Sequence, residues 1–355
     1  MKIVVNARFL TQPITGVQRY GIEISLQLKT LLGDQIVFVT PRNIVHIDIA
    51  KQLQTEVVGK RTGHAWEQLD LPKYLKANGS PLLLNLANTA PIFYNNKVST
   101  LHDVAFLAYP ETYSKKFLWF YCFLIPLVLK TSKHIITVSN FSKKEIQRYF
   151  HIDENKISVA YNAVNNEFSY QKNEELSQHK YFLAVSSLNH RKNFIFILKV
   201  FLEIKEAYPD YYLYIIGDLK NGNFGNLDIE RYRKDARIKF LGRVSDQELI
   251  RYYSNAFSFL YPSIYEGFGI PPLEAQACNC PVIVSETSSL PEVFDDSALY
   301  CSPTSIESLK EEIVKLISSP ALRNILIEKG AENVNRFRWS QSAQIIRNLL
   351  QIFLK

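Results

Sequence analysis

The sequence predicts an α/β protein built from two doubly wound, Rossmann-like parallel sheets facing a central cleft. Three observations lead there. At 355 residues the chain exceeds what one ordinary hydrophobic core holds. Short continuous apolar runs alternate with helical patterns, once in each half, as when helices cover both faces of a parallel sheet. A polar, aperiodic stretch, residues 166–179 (NEFSYQKNEELSQH), separates the two series.

In the first series, IVVNARF reads as a strand, Thr15-Gly16-Val17 as a turn and Gln18–Lys29 as a helix. QIVFVT, PLLLNLAN, VSTLHD and HIITVSN are the next strands, and Ser142-x-x-Glu145 has the capping-box pattern that would start the helix after the last of them. KISVAYN closes the series. In the second, YFLAVSS is a strand, Phe194–Ala207 a helix, and YYLYIIG and IKFLG are strands. Ser245-Asp246-Gln247-Glu248 caps the next helix, and FSFLYPS, PVIVSE and ALYCSP are later strands. Residues 305–353 are mainly helical, interrupted by Gly330 and by RFRWS. The expected domains are 1–165 and 180–335, joined by the linker 166–179 and followed by a terminal helix over 336–355.

Composition excludes several classes. Hydrophobic content of 47% with 21% charged residues is that of a soluble globular protein, not a disordered or membrane-embedded one. Cys122, Cys278, Cys280 and Cys301 fit no zinc or disulfide spacing, so buried or incidental thiols in a reducing cytoplasm are expected. MKIVVNARFL begins directly as a strand, without the apolar region and cleavage site of a signal peptide. Residues 1–165 hold 19 Lys and Arg against 11 Asp and Glu, an excess of eight, whereas the remainder is nearly balanced. Without any nucleic-acid-binding motif, that basic half points to an anionic membrane surface or a polyanionic acceptor.

The stretch Lys115–Lys133 has an apolar core of 13 residues that contains Pro126. A transmembrane helix needs roughly 20. A buried core helix is one reading. The other is a helix whose outer face touches a bilayer, with Lys115, Lys116, Lys130 and Lys133 at the headgroups.

The chemistry concentrates in residues 258–284, SFLYPSIYEGFGIPPLEAQACNCPVIV. Gly267 and Gly269 allow a tight turn after a strand, and a helix from about Pro271 presents unpaired N–H donors. With Glu266 on the loop and Glu274 in the first helical turn, two carboxylates would face one cleft beside a site suited to phosphate or sugar hydroxyls. Arg191 and Lys192 follow a strand end and can clamp a diphosphate, although an isolated Arg–Lys pair also begins many solvated helices. Asn189 and Asn193 around them mark a loop edge. His102 ends a strand and would point into the ligand crevice, where it could donate to a sugar hydroxyl; a lone histidine is more often structural. Gly16 could let backbone approach a phosphate. The absence of G-x-G-x-x-G, of a P-loop and of G-x-S-x-G argues against dinucleotide binding, P-loop phosphoryl transfer and α/β-hydrolase chemistry.

Taken together, NARFLTQPITGVQRY, WEQLDLP, LHDVAFLAYPETY, TVSNFSKKEI, SLNHRKNF, FLGRVSDQEL, YPSIYEGFGIPPLEAQACNCPVIVS and LPEV resemble, in order and over nearly the whole chain, the retaining GT-B glycosyltransferases of family 4. The likeness is nearest to the bacterial mannosyltransferase B-like branch that builds surface polysaccharides. It implies an acceptor-binding first domain, a nucleotide-sugar-binding second domain, and a final helix crossing back to the first. The apolar stripe Ile345, Ile346, Leu349, Leu350 and Phe353 would pack there, a coiled-coil dimer contact being the rival.

The resemblance implies that Glu274 binds both ribose hydroxyls and that Glu266 lies beside the transferred sugar, with the N–H groups of Phe268, Gly269 and Ile270. Arg191 and Lys192 would neutralise the leaving diphosphate in place of a metal, and His102 would bind the donor sugar. Gly16 would offer its N–H to phosphate and Val244 would line the base pocket. No bound cofactor and no metal are expected. The donor expected first is GDP-mannose, ahead of dTDP-rhamnose, UDP-glucose, UDP-galactose and GDP-fucose. The expected acceptor is an undecaprenyl-diphosphate-linked oligosaccharide of O-antigen or capsule. The location implied is cytoplasmic, with a peripheral seat on the inner membrane. Two rivals remain: a sugar-nucleotide 2-epimerase of similar fold, and a non-catalytic nucleotide-sugar or glycan-binding protein.

Overall fold

The computed structural model describes residues 2–185, 190–217 and 230–354. They form two units, Met1–Asn162 with Arg338–Lys355, and Ala163–Phe337. Asn189, expected beside the Arg191–Lys192 pair, lies outside the described residues.

The first unit is built on β1 (Ile3–Asn6), β2 (Ile36–Thr40), β3 (Glu56–Val57), β4 (Leu82–Asn85), β5 (Lys97–Thr100), β6 (His134–Thr137) and β7 (Ile157–Val159). Their order is β3-β2-β1-β4-β5-β6-β7, and every pairing is parallel. The chain runs outward from β1 to β3, then returns to β4 on the other side of β1. The switch point therefore lies between β1 and β4, where Asn6 and Asn85 are register partners. β1 is shorter than the run IVVNARF suggests, because Arg8–Thr11 turns into a 3-10 helix with Arg8, Phe9 and Leu10 buried. β3 has only two residues, both exposed, and so leaves no periodic trace in the sequence.

In this unit two helix starts differ from the sequence expectation. The first helix runs Gly16–Leu32, so Gly16 is its first residue rather than part of a preceding turn. The helix after β6 runs Asn140–Phe150, and its cap is Ser139, whose side chain accepts from the Ser142 N–H. Ser142 is buried inside the first turn, where it cannot serve as the cap. The terminal helix Trp339–Phe353 packs on Gly16–Leu32, with the Trp339 ring edge-on to Tyr20 at 5.9 Å. Ser342 fixes it further by donating to the Tyr161 carbonyl at 2.6 Å. Ile346, Leu349 and Leu350 are buried, whereas Ile345, expected in the same stripe, faces outward.

Helix Lys115–Thr131 has two faces. Leu124, Ile125, Val128 and Leu129 are buried, while Trp119 (75% exposed) and Phe123 (59%) stack with ring centroids 6.4 Å apart on the outside. Pro126 is accommodated within it. Among the described residues no helix is long and apolar enough to cross a membrane.

The second unit is built on β8 (Lys180–Val185), β9 (Tyr211–Ile216), β10 (Ile238–Gly242), β11 (Ser258–Tyr261), β12 (Val282–Ser285) and β13 (Leu299–Cys301). Their order is β10-β9-β8-β11-β12-β13, again all parallel, so the switch point lies between β8 and β11. The helix Asp246–Asn255 begins with the expected capping box at Ser245 and Glu248. The polar stretch expected as a linker is instead fixed to this unit. Gln171 N–H donates to Ser254 Oγ, Asn173 N–H donates to Asn255 Oδ1, and Glu174–Ser177 forms a short helix. Gly330 does not interrupt its helix, Pro320–Val334. A Cβ there would come within 3.2 Å of Gln276 Cγ, so glycine allows this helix to approach Ile270–Ala277 closely. Cys278, Cys280 and Cys301 are buried free thiols, and Cys122 is an exposed one.

At the amino end of β5, Lys97 is fully buried, and among the described residues no carboxylate pairs with it. Its Nζ donates to the Tyr94 carbonyl at 2.7 Å and to Thr131 Oγ1 at 2.6 Å. Burial, with Lys156 adding to it, pushes its pKa down from 10.5 to about 7. The unfolded chain then binds a proton that the folded chain resists. The penalty is absent above the unfolded value, grows as pH falls from 10.5 to about 7, and is constant below. It amounts to roughly 4 kcal/mol at neutral pH. Urea unfolding should therefore show the stability of Lys97→Met relative to wild type to be greatest near pH 7 and to decline toward pH 10. A pH-independent difference would contradict this account of Lys97.

Candidate active site

The switch point of the second sheet brings together residues that are far apart in sequence. Past β8, the described chain resumes at His190–Lys192, a single 3-10 turn, and the loop after β11 carries Glu266. Lys192 Nζ lies 2.7 Å from Glu266 Oε1, and Arg191 Nη1 lies 3.9 Å from Oε2. Two hydrogen bonds tie these segments to one another, one from backbone and one from a side chain: the Ile264 N–H donates to the Arg191 carbonyl, and Arg191 Nη1 donates to the Tyr265 carbonyl, both at 2.8 Å. Asn193, in the left-handed region at φ +57°, completes the clasp by donating to the carbonyls of Pro262 and Pro303.

Glu266 is buried and well supplied with donors. Ser263 Oγ donates to Oε1 at 2.5 Å, the Glu266 N–H donates to Ser288 Oγ, and Ser289 Oγ donates to the Glu266 carbonyl. Burial pushes the carboxyl pKa up, but Lys192 and then Arg191 outweigh it and hold the group below the usual carboxylate value. Lys192 also donates to the Tyr261 hydroxyl and lies 4.8 Å from that ring's centroid. Burial, and after it the Glu266 charge, pushes the Tyr261 phenol far above its ordinary value, so it remains protonated. The result is a desolvated carboxylate bridged to two cations, one of them cradled by an aromatic face.

The glycine-rich turn is sterically required. Gly269 sits at φ +101°, and a Cβ there would lie 2.6 Å from Leu290 Cδ2. The following helix begins at Ile270, one residue earlier than expected, because Pro271 and Pro272 occupy early positions that need no N–H partner. Glu274 is consequently in its second turn, not its first, and is buried. Phe268 is buried edge-on against Phe337, with centroids 5.3 Å apart. Val244 is half-buried between β10 and the capped helix at Ser245.

His102 and Gly16 belong to the first unit. His102 is buried just past β5. Its N–H donates to Asn88 Oδ1 at 2.9 Å, its ring meets Tyr20 edge-on at 4.9 Å, and Nε2 lies 3.1 Å from the Leu86 carbonyl. Burial lowers its pKa, against the opposing effects of Leu86 and Asp103. A neutral ring that donates through Nε2 has only an acceptor at Nδ1. The expected donation to a sugar hydroxyl is thus reversed: His102 can accept one. Gly16 is exposed at the first position of its helix.

Sequence reasoning missed a second constellation. Glu67, 1% exposed, lies on the π-helical turn Trp66–Asp70 at the β1/β4 switch point. Its Oε1 accepts from Asn6 Nδ2 at 2.9 Å and Arg8 Nε at 3.2 Å, its Oε2 lies 3.3 Å from His64 Nδ1, and Arg8 Nη2 donates to Thr89 Oγ1. Burial opposes ionisation, yet Arg8, then His64 and Thr89, hold the carboxyl at about 2. The fragment WEQLDLP was the available signal, but it carried no assigned role. Tyr261 and Ser263 were likewise overlooked within YPS. Among the described residues no group of three or more His, Cys, Asp or Glu is arranged to hold a metal ion.

Residues 14–168 match the family described as Glycosyltransferase Family 4, and residues 165–333 match Glycosyl transferases group 1. The chain is 30% identical to the O-antigen chain mannosyltransferase RfbU of Salmonella typhimurium, over 98% of this chain and 99% of that one. It is 26% identical to O-antigen chain mannosyltransferase B of Escherichia coli, over 96% of each. Among solved structures, Anabaena HepE, crystallised with UDP and glucose, superposes with a TM-score of 0.74 at 17% identity over 99% of both chains. WaaG, a glycosyltransferase involved in lipopolysaccharide biosynthesis, gives 0.70 at 14% identity over 98% of this chain and 99% of that one. The chain belongs to the group 1, family 4 glycosyltransferases and has their GT-B fold.

Two stability experiments check the site. Gly269→Ala should lower the unfolding free energy by about 1–3 kcal/mol, since a Cβ is both strained and crowded there. An unaltered denaturation midpoint would show that the turn can relax. Glu67 should contribute stability that is complete above its unfolded pKa near 4.5 and is lost as pH falls through about 2. Glu67→Gln should therefore flatten the acid limb of a pH–stability curve between 4.5 and 2, whereas an unchanged limb would refute the pairing.

Proposed function

We propose that the protein is a retaining hexosyltransferase that moves mannose from GDP-mannose to a growing, polyprenyl-diphosphate-linked surface polysaccharide. The observation that carries this is the Arg191–Lys192–Glu266 cluster, two cations and a carboxylate desolvated together at a sheet switch point, where α/β proteins bind ligands. The mannose assignment draws on the two full-length relatives, both described as O-antigen chain mannosyltransferases.

In this reading Arg191 and Lys192 meet the charge that grows on the leaving nucleoside diphosphate, the electrostatic contribution that lowers the barrier most. Lys192 is already within hydrogen-bond distance of Glu266, so an arriving diphosphate competes with that carboxylate for the same ammonium. Glu266 then remains beside an oxocarbenium-like sugar, with the backbone N–H groups of Phe268, Gly269 and Ile270 nearby in sequence. Glu274 takes the ribose hydroxyls, Val244 lines the base pocket, and Gly16 offers its N–H to phosphate. His102 accepts a hydroxyl of the transferred sugar through Nδ1. The acceptor attacks the face from which the diphosphate leaves, and the leaving phosphate takes its proton.

The first unit supplies the acceptor side. The excess of eight positive charges over residues 1–165 and the exposed Trp119 and Phe123, flanked by exposed Lys115, Lys116 and Lys130, suit an anionic lipid surface. Stacked aromatic rings enter the interface while the lysines meet headgroups. In this reading the enzyme works peripherally on the cytoplasmic face of the inner membrane, where a lipid-linked acceptor is presented.

Three outcomes are expected. In a thermal-shift series of nucleotide sugars, GDP-mannose should raise the melting temperature most, and indifference to every nucleotide would refute the donor-site assignment. Arg191→Ala should lower turnover at saturating donor by about 10²–10³-fold, and unchanged turnover would remove it from the leaving-group site. Trp119→Ser with Phe123→Ser should reduce co-sedimentation with phosphatidylglycerol vesicles while leaving the melting temperature within a few degrees. Equal retention on phosphatidylcholine vesicles by both proteins would count against the anionic surface.

A further inference from the structure

The Glu67 constellation has no part in the chemistry assigned to the second unit, yet its construction is costly. A buried Arg–Glu pair gains little stability over apolar residues of the same volume, because desolvation cancels most of the attraction. Glu67 nevertheless sits on a π-helical turn, a rare conformation that recurs at functional positions. The turn is held in place from both flanks. Gln68 Nε2 donates to the Ala90 carbonyl and Gln68 Oε1 accepts from the Ile92 N–H, both at 2.9 Å.

What this network fixes is His64. Glu67 Oε1 is occupied by Asn6 and Arg8, so Oε2 is the oxygen that faces the imidazole, at Nδ1. A carboxylate accepts only, so Nδ1 carries the hydrogen and Nε2 is directed away from Glu67. Glu67 is 1% exposed, whereas the His64 side chain is 39% exposed. The dyad thus runs from the buried switch point to the surface. The imidazole also lies against the Phe120 ring, with centroids 4.7 Å apart, beside the stacked Phe117 and Tyr121. Tyr121 in turn feels the charges of Arg8, Glu67 and Asp103, which places the residue next to His102 in the same neighbourhood. One oriented polar nitrogen beside aromatic faces is how proteins take hold of a sugar ring, its C–H face on the aromatic and a hydroxyl on the polar atom.

We propose that His64, oriented by Glu67, is a sugar-binding residue of the acceptor site, its Nε2 hydrogen-bonded to a hydroxyl of the acceptor glycan's terminal hexose. Arg8, Asn6 and Thr89 are positioning residues that act through Glu67. The inference rests on the reading of the protein as a transferase to a glycan acceptor. It assigns no proton transfer to His64, because the leaving phosphate receives the acceptor's proton.

The test uses the full-length protein, a mannose-terminated oligosaccharide and imidazole NMR. The oligosaccharide should shift the His64 resonances, and His64→Ala should weaken its binding by about tenfold, the loss of one well-placed hydrogen bond. His64→Gln, which restores a polar atom near the same place, should recover part of that loss. Both variants should keep the wild-type response to GDP-mannose in thermal shift, because the residue is partly exposed and lies outside the donor machinery. Glycan binding that leaves the His64 signals unmoved, equal affinity in His64→Ala, or absence of glycan binding by the wild type would each overturn the assignment. Failure of the donor reading shows itself separately, as a wild-type protein that answers to no nucleotide sugar.

Discussion

Parallel pairing of every strand governs where chemistry can occur in this protein. Consecutive parallel strands need a crossover, so each strand ends at the same edge of its sheet and each crossover begins there. Both sheets start near the middle, wind outward, and return to wind the other way. At the return, neighbouring loops depart in opposite directions and leave an opening. Arg191, Lys192 and Glu266 surround that opening in one sheet, and Arg8, Glu67 and Thr89 surround it in the other.

Each opening contains a buried ion pair, and the two are solved alike. Lys192–Glu266 is supported by Ser263 and Tyr261, and Arg8–Glu67 by Asn6 and Thr89, so the desolvated charges retain hydrogen-bond partners. Lys97, at the amino end of β5, shows the alternative. It is met by a carbonyl and a hydroxyl, and burial drives its pKa down instead. The same cost of burying charge is met by a counter-ion at the ligand edge and by weakened ionisation at the opposite edge. Only the first leaves a charged group available to a ligand.

Much of the fold was legible because the signals were local. The apolar runs of β4, β6 and β11 are core strands, and the Ser245–Glu248 box starts its helix as expected. Misreadings occurred where a local signal competed with a tertiary one. Ser142 and Glu145 matched a capping pattern, but Ser139 is the residue with extended backbone whose side chain accepts from the Ser142 N–H. Gly330 looked like a break and proved to be a contact point with Gln276. The stretch 166–179 lacked periodicity because one buried ring, Phe168 against Tyr253, and hydrogen bonds to Ser254 and Asn255 attach it, with no repeating apolar face.

The site divides along the same line. The sequence by itself determined the inventory: a carboxylate after a strand, glycines that permit the turn at φ +101°, a pair of cations after another strand, and a histidine at a strand end. These follow from residue type and short spacing, which fix backbone conformation within a few positions. Only the tertiary structure decided the pairings. Lys192 meets Glu266 across 74 positions and Arg8 meets Glu67 across 59. Packing against the Leu86 carbonyl decided which nitrogen His102 can offer. Distances of that kind arise from sheet order, and sheet order is set by how whole layers bury their apolar faces, a property that no short segment carries.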